Sequence, residues 1–565
     1  MVSKSNLKTL SKKIVVMKLL NNLKKTVGKF QSELQRKRIM KDRIQFDSAL
    51  LDLIDETRPN SKPNISAFID CTWENPHFWY RTSLLVSALN IELTSSVGYI
   101  GYFRHREISS TLKAFGISNK KHHKQLMPPV KDVTELANDL IAKTTSPNDI
   151  VEWKLPFDFP GTVFYDTLLK AQKTGFVDHR RHGFKELLIT CLQSLIATRK
   201  ALESSDSDIV ICSHNIGEIA APLAWHGLQL NKQVYILYGD FGGQRFQKVN
   251  SVETFLRCIA PPTRSELDNS STQQKTNLIR NGTEYLAERF AGQAGDIASA
   301  LAYTGENSDL QYEEMLSACN WTSDKPLISI YMQNWFDFPH SLGLERFRDF
   351  YDWIEATFTV IREQKNVNWL IRAHPLDERY GVTENESVRS MVKALDLVHI
   401  KSCPSHINSM TVIKKSTGII TACGSIGLEA TCHGTPVLVA EKAWYGEHGF
   451  VIEPGSRSGY LTTLTRAWWT EVDTKKAKEY AARYSGFYFG YPDWQKGLIH
   501  QDDSQQFGLY PGLMRLMNET RGQIRTEILT LRAWSQSSST QYHTYKNLRA
   551  NDYVHASMSN SLLSN

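Results

Sequence analysis

Short apolar runs alternate with amphipathic stretches along most of the chain, and that alternation predicts a doubly wound α/β protein. Ile65-Ser-Ala-Phe-Ile-Asp70 reads as a first buried strand behind the turn-rich Asn60-Ser-Lys-Pro-Asn64. A helix near Phe78–Leu89, a helix from Gly183 to Leu202, a strand from Asp208 to Cys212, a helix from Ile216 to His226 and a strand from Gln233 to Leu237 follow. The polar segment Pro261–Thr276 reads as a loop, and helices near Thr283–Ala302 and Asp309–Ala318 lead into a second alternation. It comprises strand Pro326–Tyr331, helix Phe347–Gln364, strand Asn368–Ile371, helix Ser387–Leu395, strand Val398–Ile400 and the region around Gly424. A chain of 565 residues exceeds what one core usually supports, so two Rossmann-like domains are expected, at 59–322 and 323–500. A helix reads from Tyr510 to Ala533, and residues 535–565, poor in aliphatics, read as a mobile tail.

The most telling segment is Thr421–Ala440, TACGSIGLEATCHGTPVLVA: a glycine-broken turn, a short helix carrying Glu429, then a Gly-Thr-Pro turn into a buried strand. Gly418–Thr421 and Pro436–Ala440 read as neighbouring parallel strands, so Gly424 and Ser425 fall where a strand ends and a helix begins. Free amides and the positive helix end there favour a phosphate by roughly 0.3 to 1 kcal/mol. Glu429, one turn on, is placed to accept hydrogen bonds from a ribose. Upstream, Asn368-Trp-Leu-Ile-Arg-Ala-His-Pro375 is an apolar strand whose Pro375 holds His374 extended at the carboxyl end, where open α/β sheets bind ligands. His374 is a candidate hydrogen-bond donor to a phosphate gaining charge, with Arg372 on the same face as a second cation. An ordinary helix–strand connection and a capped strand-end histidine read the same way.

These motifs, with the strand-loop Leu327-Ile-Ser-Ile-Tyr-Met-Gln-Asn-Trp-Phe-Asp337, resemble those of bacterial capsule and surface polysaccharide transferases, a group that includes Kdo transferases. The resemblance spans roughly residues 325–450, with a looser echo from Asp208–His214 to Gly239–Gly243. It implies a GT-B architecture: two doubly wound parallel-sheet domains facing a cleft, the first for the acceptor, the second for a nucleotide-sugar, and a helix in 501–534 crossing back to the first. It further implies a glycosyltransferase building a surface or capsular polysaccharide, with a nucleotide diphosphate or CMP-linked acidic sugar such as Kdo as donor. Two other classes share the scaffold: sugar-nucleotide epimerases and CDP-glycerol phosphotransferases. The epimerase pattern Asp-Ser-Gly-Gly stands here as Ala422-Cys-Gly-Ser425, which counts against that class. A non-catalytic, membrane-associated partner is the third reading.

Sugar transfer also needs a group to take the acceptor proton, expected across the cleft in the first domain. Asp240, in Tyr238-Gly-Asp-Phe-Gly-Gly243, follows a strand directly among glycines and ranks first. Glu74, with Asp70 in a like position after the first strand, ranks second, and Glu218, after Ser213-His214, third. Asp206-Ser-Asp208 has the spacing of a metal-binding pair but precedes its strand, away from the ligand edge, so a metal-independent mechanism without cofactor is expected. The eight cysteines are scattered without a CxxC pair and read as reduced thiols of a cytoplasmic protein.

Charge sharpens the picture at one end only. Residues 1–45 hold 13 Lys/Arg against Glu33 and Asp42, a net of +11, while the whole chain is +7, leaving −4 elsewhere. Leu7, Leu10, Ile14, Met17, Leu20, Leu23, Val27, Phe30 and Leu34 step by three and four, opposite the lysines. Residues 1–58 therefore read as a basic amphipathic helical arm suited to the anionic inner-membrane surface, or else packed on its own domain or on a second subunit as a homodimer. The arm lacks the aromatic stacking residues of a nucleic-acid site. No run approaches the roughly 20 apolar residues of a membrane span, so a peripheral association is expected.

Overall fold

The structure is a computed structural model. It describes residues 37–72, 75–98, 106–117, 119–238, 244–257, 262–294, 297–322, 324–495, 497–498 and 509–544. The first domain is built on strands β1 (Ile65–Cys71), β2 (Ile91–Gly98), β3 (Asn119–His122), β4 (Ile209–Cys212), β5 (Gln233–Tyr238) and β6 (Arg245–Val249). The second uses β7 (Leu327–Tyr331), β8 (Asn368–Arg372), β9 (Ile400–Ser402), β10 (Gly418–Thr421) and β11 (Val437–Val439). A last strand, β12 (Gln541–His543), returns to the first sheet.

The sheet orders are β12-β6-β5-β4-β1-β2-β3 and β11-β10-β7-β8-β9. In each, five parallel strands run 3-2-1-4-5, the doubly wound order, and among the described residues only β6 and β12, both in the first sheet, pair antiparallel. The order reverses between β1 and β4 in the first sheet and between β7 and β10 in the second, so each has a crevice at those carboxyl ends. Parallel strands covered on both faces must be apolar throughout. Thus Phe68, Val210 and Val234 feed a core that continues through the second domain, while Ala67, Ile69, Ile209 and Ile211 pack on the opposite face. The helix Pro76–Leu89 covering that second face starts on an Asn75 cap with Pro76 in its first turn and stops at left-handed Asn90.

Three expectations change. The arm does not extend to residue 58: residues 37–57 form a helix whose Phe46, Leu50, Leu53 and Ile54 are buried in the first domain. Its Arg43 is buried too, donating to Asp47 (3.0 Å) and to the Tyr510 hydroxyl (2.9 Å). Residues 1–36 lie outside the described residues. The 535–565 tail is structured at its start, where β12 pairs with β6 and buries Tyr542. Finally, Pro261–Thr276 is not all loop: helix Thr272–Phe290 begins on a Ser271–Gln274 capping box, and Arg264–Asp268 is a short helix. Helices Leu509–Glu519 and Arg521–Gln536 pack on the first domain. No helix among the described residues is long and apolar enough to cross a membrane.

Candidate active site

In the second domain, β10 ends at Thr421 and the chain turns through Gly424 and Ser425 into helix Ile426–His433. A Cβ on Gly424 would stand 2.6 Å from the Gln333 amide and 3.0 Å from Thr421 Oγ1, so any larger residue would have to push the Gln333 side chain out of the turn. Gln333, two residues past β7, fills the turn. With its carbonyl facing it, the side chain accepts from Gly424 N (2.6 Å), Cys423 N (3.2 Å) and Thr421 Oγ1 (2.7 Å). The Gly424 amide expected to face a phosphate is thus engaged within the protein. At the helix start Arg289 Nη2 lies 3.4 Å from Ser425 Oγ. Arg289 Nε also donates to Glu429 Oε1 at 2.8 Å, and the Tyr303 hydroxyl donates to Oε2. Arg289 and Glu429 are 5% and 3% exposed, so this is a buried ion pair.

His374 follows β8 as expected, half-buried, and its Nδ1 accepts the Leu376 N–H at 3.3 Å. In the neutral ring that acceptor role places the proton on Nε2. Arg372 turns toward the neighbouring strands: its Nη1 lies 3.3 Å from Cys403 Sγ and its guanidinium stacks over the Tyr331 ring. Asp377, three residues beyond His374, was not singled out in the sequence. It is buried, takes a hydrogen bond from Asn334 Nδ2 (3.0 Å), and burial pushes its carboxyl up to about 6.

At the first domain's crevice Asp70 bridges the ends of β1 and β4, accepting from Thr72 and Ser213. Glu218, in the loop after β4, is half-buried, and burial raises its carboxyl above the usual range. With Thr72, Thr167, Lys170 and Phe338 it lines a hollow of about 350 Å³. Asp240 and Glu74 lie outside the described residues. Asp208 sits at the opposite, amino edge, where it accepts from Ser66 N (2.8 Å) and Oγ (3.1 Å), as its place before β4 requires.

The segment after β7 ties the two crevices together. It starts with Gln333 in the Gly424 turn and reaches Phe338, which lines the hollow of Glu218. Lys170 of the first domain pairs with Asp337 (2.9 Å), its ammonium 5.2–5.3 Å from the Phe336, Phe338 and Tyr380 ring centroids. His340 Nδ1 is 2.7 Å from buried Asp166, whose other oxygen accepts the His340 N–H. Burial opposes charge on this imidazole, but the Asp166 carboxylate outweighs it and raises the His340 pKa. Glu441, just past β11, accepts the Glu345, Arg346 and Phe347 amides and so fixes the end of the same connection. A further cavity of about 830 Å³ opens between the domains, lined by Thr162, Leu256, Arg257, Arg346 and Trp444 among others.

A family profile described as "Capsule polysaccharide biosynthesis protein" matches residues 347–458, about a fifth of the chain. No curated protein matches. Solved structures with a similar chain path include the KpsC beta Kdo 2,4 transferase of Thermosulfurimonas dismutans (9% identity, 55% of this chain and 87% of that one, TM-score 0.31). The UDP-GlcNAc 2-epimerase of Neisseria meningitidis bound to UDP-GlcNAc aligns at 10% identity over 81% of this chain and 100% of that one, TM-score 0.23. The wall teichoic acid polymerase TagF aligns at 10% identity over 90% and 99%, TM-score 0.22. At such scores the three structures do not discriminate between activities.

Proposed function

We propose, from a match of residues 347–458 to the capsule polysaccharide biosynthesis family model, a GT-B glycosyltransferase that moves a sugar from a nucleotide-sugar to a surface or capsular glycan. The observation that carries this reading is the single segment, 332–338, joining the second domain's crevice to the hollow that Glu218 lines in the first. Donor and acceptor halves on such a frame meet at one place. On the donor side, His374 Nε2–H, Arg289 and the Ser425 hydroxyl supply donors to a departing phosphate, with Arg372 adding positive charge nearby. Glu429, held by Arg289 and Tyr303, orients that cation and borders the ribose position.

On the acceptor side a carboxylate takes the proton of the attacking hydroxyl as its oxygen bonds the anomeric carbon and the nucleotide leaves with the electron pair of the broken C–O bond. Glu218 suits the task because burial raises its pKa toward neutrality, where a base both accepts and releases protons well. Asp240 and Glu74 remain candidates for the same role. The reading includes a CMP-linked acidic sugar as donor, metal-independent chemistry, and attachment of residues 1–36, net +8, to the anionic inner-membrane surface. A thermal-shift panel of CMP, CDP, UDP and GDP tests the donor half: a nucleotide at 100 times its Kd adds about 2.7 kcal/mol. One of the four is expected to raise Tm in wild-type protein and not in His374→Ala; no shift with any of them removes the nucleotide from the account.

A further inference from the structure

The cavity of about 830 Å³ between the domains has no part in the proposed chemistry, yet it shares two walls with the hollow of Glu218. Helix Gly161–Gln172 lines the cavity with Val163 and the hollow with Thr167 and Ala171. Those positions stand four apart on one helix face, with about 6 Å of rise from each to the next. The segment after β7 does the same: Phe338 lines the hollow and His340 the cavity, and two residues span at most about 7 Å. The pair of buried Asp166 with His340 holds the two walls together at this junction.

Most cations of the cavity lining are already committed. Arg346 donates to the Ala440 carbonyl (3.1 Å) and to Glu453 (3.0 Å), and Arg348 to Asp349 (2.7 Å) and Asn148 (3.1 Å). Lys442 lies 3.6 Å from Glu447. Arg257, at the end of helix Val252–Leu256, is half-buried, and among the described residues its guanidinium has neither an ion pair nor a hydrogen bond. The same holds for the exposed carboxylates of Glu152, Glu253 and Glu345. Three carboxylates against one guanidinium do not suit a string of phosphates. They suit hydroxyls, which donate to the carboxylates and accept from the guanidinium. The half-buried Trp444 ring is stacked on Tyr488 (centroids 4.2 Å apart) and edge-on to Tyr445 (4.9 Å), so it is a preset aromatic surface. Val252, Leu256 and Leu342 add apolar area to the same lining. A site of this size and mixture fits a ligand with apolar ring faces and hydroxyl edges.

Resting on the transferase reading, we propose that this cavity binds the oligosaccharide behind the attacking sugar, an uncharged or sparsely charged glycan, with Trp444 as its stacking surface and Arg257, Glu253 and Glu345 as its hydrogen-bond partners. The terminal sugar enters the hollow of Glu218, and the preceding ones pass the Asp166–His340 junction into the cavity. The acceptor is therefore an extended sugar chain, neither a single sugar nor a phosphate-linked polymer.

The test uses oligomers of one to six sugars, prepared by partial hydrolysis of the host cell's own surface glycan, with a glycerol phosphate oligomer as the contrasting probe. Calorimetry gives their Kd, and nucleotide release in the presence of nucleotide-sugars gives the acceptor KM. In wild-type protein both constants should fall about tenfold or more between one sugar and four, the worth of one charge-assisted hydrogen bond, while kcat stays level. Arg257→Gln, and Val252→Trp, which adds bulk at an exposed lining position, should each remove that gain and leave the single-sugar KM unchanged. Trp444→Leu should do the same; because Trp444 also packs on Tyr488, the other two variants decide the matter if it fails to fold. Wild-type constants that do not improve with length overturn the proposal. So do Arg257→Gln and Val252→Trp variants that keep the gain, or a glycerol phosphate oligomer that binds more tightly than the sugars. Transfer to a single sugar with no effect of length would sink the cavity and spare the transferase reading, whereas length-dependent binding without sugar transfer would do the reverse.

Discussion

Replacing Arg289 with methionine removes the guanidinium that holds Glu429 and reaches Ser425 while keeping most of the side-chain volume. The size of the effect follows from where the pair sits. Exposed ion pairs contribute about 0 to 1 kcal/mol, whereas removing one partner of a buried pair costs about 3 to 5, because the other charge stays out of water. With Arg289 5% and Glu429 3% exposed, and their atoms 2.8 Å apart, the pair belongs to the second class. The Tyr303 hydroxyl still donates to Glu429, so the lower end, about 3 kcal/mol, is expected. For a domain of this size that corresponds to a Tm lower by about 6 to 12 °C. Urea and thermal unfolding of Arg289→Met, Glu429→Gln and the double variant form the assay. The double variant, carrying neither charge, should be more stable than either single one. A loss below about 1 kcal/mol in Arg289→Met would show a solvated pair and refute the cluster as a preorganised donor-side element.

Glu218→Gln should lower transfer by roughly 10² to 10⁴ with the nucleotide thermal shift intact, since the proposed nucleotide site lies in the other domain. Because burial raises Glu218, kcat/KM should fall on acidification at a pH above the ordinary carboxylate range; retention of more than about a third of the rate passes the role to Asp240 or Glu74. His340, raised above its ordinary 6.5 by Asp166, contributes stability that is full below about 6.5 and lost as pH rises through its folded pKa, so the Tm difference between wild type and His340→Gln should shrink from pH 6 to pH 9; a constant difference contradicts the charged pair. A chain lacking residues 1–36 should keep turnover on a soluble acceptor and lose sedimentation with anionic vesicles, which in the full chain should weaken as the screening length drops from about 30 Å at 0.01 M salt to about 3 Å at 1 M. Aggregation of the shortened chain would instead indicate that the apolar face packs on protein.

The doubly wound pattern was legible because parallel strands buried on both faces leave continuous apolar runs, as in Trp369-Leu-Ile371 and Gly418-Ile-Ile-Thr421. The strand ends bearing His374 and Gly424 followed from Pro375 and from the glycine-broken turn. Strand β3, Asn119-Lys-Lys-His122, was not legible, since a polar edge strand has no apolar signature. The helix at 37–57 continued the stepping of the lysine-rich stretch, and its burial depends on Tyr510, 467 positions away. Gln333, Arg289 and the Asp70–Ser213 contact carry no local pattern. They become visible only when β7 lies beside β10, helix Thr272–Phe290 meets Glu429, and β1 lies beside β4.

Sugar transfer across the two crevices is tested most directly by incubating wild-type protein with nucleotide-sugars, with and without a glycan acceptor, and measuring free nucleotide and glycan mass together. Acceptor-dependent nucleotide release, matched one for one by sugar added to the glycan, is the expected result. Interconversion of the nucleotide-sugar without an acceptor, or nucleotide release that leaves the glycan mass unchanged, would contradict it.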